Sequence, residues 1–375
     1  MKKLLAIVSL FLIAAFITPF TLPTAAQMSI SAQSACLMEA ESGKLLYSKN
    51  ANKRMHMAST TKVMTAILAI ESGLSLDTVL TTPSEAVGVE GSSVYLAENE
   101  KITFEALLYS LLLASANDAA VAIAMHVAGS VDAFVDLMND KAQDLGLSNT
   151  NFTNPHGLYD ENHYTTARDL ASLMAYAMKN DVFAAITASQ KRVFSREGEG
   201  VRVLINHNKL LKTYDGVIGG KTGFTKKSGR CLVSVAERDG LRLIAVTLNA
   251  PDDWRDHASL YDFAFLSYEV RTIPQTILTL PVISGKSDTV TVASEEISLT
   301  VSKEATIITK IYAPRYLFAS VSKGEKIGWV VYYLNGQIIA TSPLVATKSV
   351  EQIKPEFNLL DWLYNILKGL TKWNK

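Results

Sequence analysis

The sequence predicts an α/β domain followed by a small all-β module and an amphipathic C-terminal helix. Three observations carry this. Strand-like runs near Cys36 and between Arg230 and Leu248 bracket a centre of helical periodicity, so one sheet would unite the two ends of that stretch. From Thr272 the pattern alternates with period two. Beyond Pro355 a helical period returns, apolar on one side.

A chain of 375 residues is long enough for more than one domain, and 48% hydrophobic against 19% charged residues suits a folded protein. The 36 basic and 36 acidic residues balance, so nothing points to nucleic acid as a partner. Lys2 and Lys3 precede an apolar run from Leu4 to Phe20, then Pro23 and Thr24-Ala25-Ala26. This reads as a signal peptide over residues 1–26 and places the mature chain outside the cytoplasm. A retained anchor is the competing reading, and Pro19, Pro23 and the small residues weigh against it. Cys36 and Cys231 are the two cysteines, each in a strand-like run, and read as buried small hydrophobes.

In order along the chain, Ser34 to Lys49 reads as a hairpin turning at Glu41-Ser42-Gly43-Lys44. Ser59 to Glu71 reads as a helix with Val63, Met64, Ile67, Leu68 and Ile70 on its apolar side. Thr103 to Ala114 is a second helix, broken at Ser115-Ala116-Asn117-Asp118. Further helices are expected from about Ala119 to Ala128, Val131 to Leu145 and Thr166 to Lys179, with a loop rich in Asn, Pro, Gly and His over Asn151 to His163. Asp118 and Asp169 are expected to serve helix starts. From Val201 the chain turns extended. Arg230 to Ala236 and Leu241 to Leu248 are strands joined at Asp239-Gly240, and Ser259 to Tyr268 closes the domain as a helix. In the β-module, Asn335-Gly336 marks a hairpin. In the tail, Leu359, Leu360, Trp362, Leu363, Ile366, Leu367, Leu370 and Trp373 share one arc. That fits a helix lying at a membrane surface better than a span, the other reading being a helix docked on its own domain.

The chemistry rests on three segments. Ser59-Thr60-Thr61-Lys62 puts a hydroxyl and an amine on one helical face. An alcohol becomes a nucleophile near neutral pH when a base takes its proton, and a lysine of lowered pKa can be that base. Ser115-Ala116-Asn117 sits at a helix break, and Lys221-Thr222-Gly223 sits at the start of the strand region. Lys221 near Lys62 would disfavour a second positive charge. Gly220 and Gly223 would leave a strand edge open to a peptide. A phosphate-binding loop is excluded, because Asp215 stands where glycine is required. The six histidines have no metal-ligand spacing, and His156 and His163 read as packing or capping residues.

The order and separation of these segments, with Leu45-Leu46-Tyr47, Asn154-Pro155-His156-Gly157-Leu158 and Gly220 to Thr225, resemble the low-molecular-mass penicillin-binding proteins, serine-type D-alanyl-D-alanine carboxypeptidases. The resemblance implies a β-lactamase/transpeptidase-like fold, an antiparallel sheet with a helical subdomain. The pattern changes along the chain give domain limits of 27–271 for the catalytic part, 272–350 for the β-rich part and 351–375 for the membrane-associating tail. The resemblance also implies peptidoglycan stem pentapeptides as substrate, β-lactams as acylating inhibitors, no cofactor and no metal. Ser59 would attack the carbonyl between the last two D-alanines, Lys62 would take its proton, and Ser115 would relay a proton to the leaving amine. Asn117 would bind the substrate amide, and Lys221 and Thr222 its carboxylate. The N–H groups of Ser59 and Phe224, next to Gly223, would form the oxyanion hole. Relatives often place an arginine after the last strand, where Arg255 is the candidate. A β-lactamase is the nearest alternative, but it carries Ser-Asp-Asn in the middle segment. A non-catalytic wall-binding scaffold is the other.

Overall fold

The structure is a computed structural model describing residues 28–196, 200–354 and 359–371. The expected signal peptide lies outside the described residues, as do Pro355 and Trp373 of the tail. The chain divides into two compact units between Glu269 and Val270.

In the first unit a five-stranded antiparallel sheet joins the two ends of the stretch, as expected. Its order is Leu45–Lys49, Ser34–Glu39, Leu241–Leu248, Gly229–Arg238 and Val217–Thr225. Ser34–Glu39 is buried at all six positions, because helices cover both faces of the sheet. Cys36, Met38, Val233, Ile244 and Val246 point into the main core with the helical centre. On the other face Ser234 and Thr247 bond the ring of His257, on the helix Asp253–Ser267. Alternation of side chains along each strand makes this two-sided burial possible.

Lys62–Glu71 runs through the middle of the helical part with Val63, Met64, Ala66, Ile67 and Ala69 fully buried. Around it lie Phe104–Leu112, Asn117–Ala128, Val131–Asp144, Ala167–Ala177 and Asp181–Ala188. Thr103, Ser130, Thr166 and Asn180 cap four of these with a side-chain oxygen on a first-turn N–H.

Three details differ from expectation. The helix does not begin as α-helix at Ser59: Ala58–Thr61 is a 3-10 turn leading into Lys62–Glu71. Thr60 and Thr61 explain this, since their hydroxyls donate to the carbonyls of Met57 and Ala58, three residues back. Asp118 and Asp169 tie loops down more than they start helices. Asp118 accepts from the N–H groups of Val94 and Leu96, and Asp169 accepts from Asn149 and Thr150. The last helix begins at Asp253, six residues earlier than the apolar pattern suggests. The segment between Lys179 and Val201 holds the helix Asp181–Ala188 and the first strand of a hairpin, Lys191–Arg196 with Gly200–Ile205.

The second unit is mainly a six-stranded sheet, ordered Ile307–Tyr312, Lys326–Leu334, Gln337–Ala346, Thr289–Ala293, Ile277–Ile283 and Leu317–Phe318. Its core gathers Val290, Val292, Val330, Tyr332, Leu344 and Ala346. The hairpin at Asn335-Gly336 forms as the sequence predicts, with both residues at positive φ. Leu359–Thr371 is helical. Among the described residues no single helix is long and apolar enough to cross a membrane.

Candidate active site

The 3-10 winding sets the first pair. It brings residues three apart into line, and the Ser59 Oγ and Lys62 Nζ lie 3.0 Å apart. Lys62 is fully buried. Its Nζ donates to Asn117 Oδ1 at 2.6 Å and to the carbonyl of His156 at 2.7 Å. Both of those partners are acceptors only. A neutral amine has two N–H bonds and one lone pair, so with both N–H bonds given to these carbonyls the lone pair faces the Ser59 hydroxyl. Burial and then the nearby Lys221 ammonium hold the Lys62 amine well below the usual lysine range. None of these three partners is a carboxylate.

The loop Asn154 to Leu158 presents the His156 carbonyl. Asn154 Oδ1 accepts from Gly157 N at 2.7 Å, and Thr65 Oγ1 donates to the Pro155 carbonyl at 2.6 Å. Gly157 has φ +85°, and a Cβ there would meet the Ala58 carbonyl oxygen at 2.0 Å, so only glycine lets the loop approach the nucleophile turn. The His156 ring is driven neutral, to about 3, by burial and then by Lys62. Its part here is structural, as expected, but the role of its carbonyl was not legible in the sequence.

Ser115 sits at the helix break in the left-handed region, φ 59°, an uncommon conformation for a residue other than glycine. Its Oγ accepts from Lys221 Nζ at 2.9 Å. Lys221 is also buried, and burial pulls its amine down to about 7. It donates as well to the Thr222 carbonyl at 2.8 Å. Asn117, the first residue of its helix, is engaged at both ends: Oδ1 on Lys62 and Nδ2 on the Glu90 carbonyl.

Val217–Thr225 is the outer strand of the sheet, so one edge of it is unpaired by other strands. The expectation that Gly220 leaves this edge open is corrected: Thr187 Oγ1 donates to its carbonyl at 2.8 Å and accepts from its N–H at 3.0 Å. These bonds mark Gly220 as outward-facing. Alternation then turns the N–H and C=O groups of Thr222 and Phe224 to the same outer side. Gly223 packs against the nucleophile turn, where a Cβ would lie 2.9 Å from the Ser59 nitrogen.

Ser59, Ser115, Thr222 and Phe224 line a cavity of about 670 Å³. Arg230 is one of the cations in its wall, with Lys209 and Lys212. It gives two hydrogen bonds to Asp253 Oδ1, at 3.0 and 2.7 Å, and lies over the Trp254 ring. Arg255, the candidate by position after the last strand, is 70% exposed and pairs with Asp252 at 3.2 Å outside this wall. Cys36 and Cys231 are buried and free. Among the described residues no group of three His, Cys, Asp or Glu is placed to hold a metal ion.

An α/β unit that sets a serine hydroxyl beside a buried lysine, with a second Ser–Lys pair and an open strand edge close by, has the groups that acyl transfer to a serine requires. Residues 21–252 match the D-alanyl-D-alanine carboxypeptidase family, and residues 271–352 match the penicillin-binding protein 5 C-terminal domain. D-alanyl-D-alanine carboxypeptidase DacF of Bacillus subtilis is 33% identical over 347 residues, 87% of each chain. DacA of Haemophilus influenzae is 32% identical, with 91% of each chain covered. The crystal structure of penicillin binding protein 5 from Haemophilus influenzae superposes with a TM-score of 0.73 at 30% identity, covering 87% of this chain and 99% of that one. The chain belongs to the D-alanyl-D-alanine carboxypeptidase family, within the low-molecular-mass penicillin-binding proteins, and its enzyme class is that of a carboxypeptidase acting on peptidoglycan.

Proposed function

We propose that this chain removes the terminal D-alanine of peptidoglycan stem pentapeptides through an acyl-enzyme on Ser59. The observation that carries the reading is the placement of Lys62: its Nζ lies 3.0 Å from Ser59 Oγ and within 2.7 Å of two carbonyl oxygens, so a neutral amine that gives its two N–H bonds to those carbonyls keeps its lone pair for the Ser59 proton. Ser59 Oγ adds to the carbonyl of the penultimate D-alanine as its proton passes to Lys62 Nζ. The oxyanion is met by the N–H groups of Ser59 and Phe224. The C–N bond then breaks, and the leaving D-alanine nitrogen gains its proton through Ser115. Water adds to the ester, a base takes its proton, and Ser59 Oγ is released reprotonated. β-Lactams acylate the same oxygen.

The peptide lies along the outer edge at Thr222 and Phe224 as an added strand. Lys221, Thr222 and Arg230 face its terminal carboxylate, with Asp253 and the Trp254 ring fixing the guanidinium. Asn117 holds Lys62 through Oδ1 and offers Nδ2 to the substrate amide by exchange with the Glu90 carbonyl. The catalytic part ends near residue 271, the β-rich part near 350, and the tail associates with the outer face of the cell membrane. Support for the tail is the helix Leu359–Thr371, which leaves Leu360, Trp362, Leu363 and Leu367 exposed. The test is mass spectrometry of a pentapeptide after incubation. Loss of one D-alanine supports the reading. An intact pentapeptide that nevertheless binds defeats it in favour of a scaffold, and rapid turnover of penicillin in place of a lasting adduct favours a β-lactamase.

A further inference from the structure

The C-terminal unit has two differently built sheet faces. Val330, Tyr332 and Leu344 point into its core. The alternate residues point outward, and pairing sets Tyr312 against Trp329, Val331 against Thr341, and Ile308 against Tyr333. Tyr312, Trp329, Val331, Tyr333 and Thr341 line a depression of about 350 Å³. Trp329 stays 39% and Tyr312 50% exposed. The hydroxyls of Tyr312 and Tyr333 lie 3.2 Å apart. Two ammonium groups flank the rings: Lys326 is 3.5 Å from the Trp329 centroid and Lys310 is 5.2 Å from that of Tyr333.

We propose that this depression is a binding site for the glycan strand of peptidoglycan. Aromatic faces and phenolic or threonine hydroxyls suit a pyranose, which has C–H faces and a rim of hydroxyl and acetamido groups. Exposed aromatic clusters of this kind mark interaction sites on soluble domains. No carboxylate is among the lining residues, and Lys310 and Lys326 match a strand that bears a free lactyl carboxylate wherever a stem peptide has been removed. The concave shape and the three hydroxyls favour a sugar over a lipid surface, which would meet a convex apolar patch. The inference rests on the family's substrate polymer and not on the chemistry at Ser59, so the two fail separately.

The test uses the full chain and β-1,4-linked amino-sugar strands stripped of their stem peptides by an amidase. Titration calorimetry should give a dissociation constant that rises at least ten-fold in Trp329→Ala and stays near wild type in Trp329→Phe. The doubly charge-reversed Lys310→Glu, Lys326→Glu chain alters only exposed side chains, and it should bind more weakly, most clearly at low salt. D-Alanine release from a soluble pentapeptide should be unchanged in all three. Unaltered strand binding in both the Trp329→Ala and the lysine chains would overturn the proposal. So would a wild-type chain that ignores the strands and binds anionic phospholipid vesicles or another protein through Trp329.

Discussion

Lys62 has no solvent exposure, whereas Trp329 remains 39% exposed. Each stands where its type is uncommon, and the two units of the chain differ in this same way. The N-terminal unit hides polar groups: Lys62, Lys221, Ser115 and Asn117 are all buried around the cavity. The C-terminal unit leaves apolar ones out, including Tyr312, Trp329 and Ile338. The difference teaches what each arrangement does. Burying an amine disfavours its charged form and makes it a base; leaving an aromatic ring in water preserves a surface for a ligand. Substitutions in the first unit should therefore alter chemistry, and those in the second should alter location or binding while leaving chemistry alone.

The largest effect is expected from Ser59→Ala, which should lower D-alanine release by about 10⁴-fold or more. It should also abolish covalent labelling by a fluorescent penicillin, both read on purified protein. Second is Lys221→Gln. Burial is the larger cause of the lowered Lys62 pKa and the Lys221 charge adds to it; the substitution removes that second contribution, so Lys62 becomes easier to protonate and its pKa rises. Acylation needs the neutral amine, so the ascending limb of its pH profile should move to higher pH, with a rate loss of about 10²-fold. Stopped-flow acylation across pH checks this, and a limb that stays or moves down breaks the coupling of the two lysines. Third, Arg230→Gln removes a charge-assisted contact to the substrate carboxylate, of about 1.5–3 kcal/mol. KM for a pentapeptide should rise about ten- to hundred-fold, while Arg255→Gln changes little; equal effects would contradict the placement of Arg230. The smallest effect on chemistry should follow deletion of the residues after Val350. Activity on a soluble peptide should stay within about two-fold, while the protein moves from the membrane fraction to the soluble one. A chain that stays with the membrane would break the division of labour.

The parts of the fold set by local chemistry were legible. Asp239-Gly240 and Asn335-Gly336 fix hairpins by their backbone preferences, and the apolar period locates the buried helices. Ser59, Lys62, Ser115 and Lys221 were legible because their spacing along the chain is itself a pattern. What escaped is what only folding assembles. The His156 carbonyl bonds Lys62 across 94 positions, and no residue type encodes a backbone acceptor. Arg230 looks like any arginine at a strand start until the fold brings Asp253 and Trp254 beside it. Arg255, attractive by position, is turned outward by its helix. The hairpin Lys191–Arg196 with Gly200–Ile205 begins without glycine or proline punctuation, so its first strand gave no signal.

The most direct test of the central claim is peptide mapping by mass spectrometry after brief exposure to penicillin. A neutral Lys62 activating Ser59 predicts one penicilloyl adduct per chain, on the peptide that carries Ser59, forming faster as pH rises through the ascending limb. An adduct on any other residue, or D-alanine release with no adduct on Ser59, would contradict it.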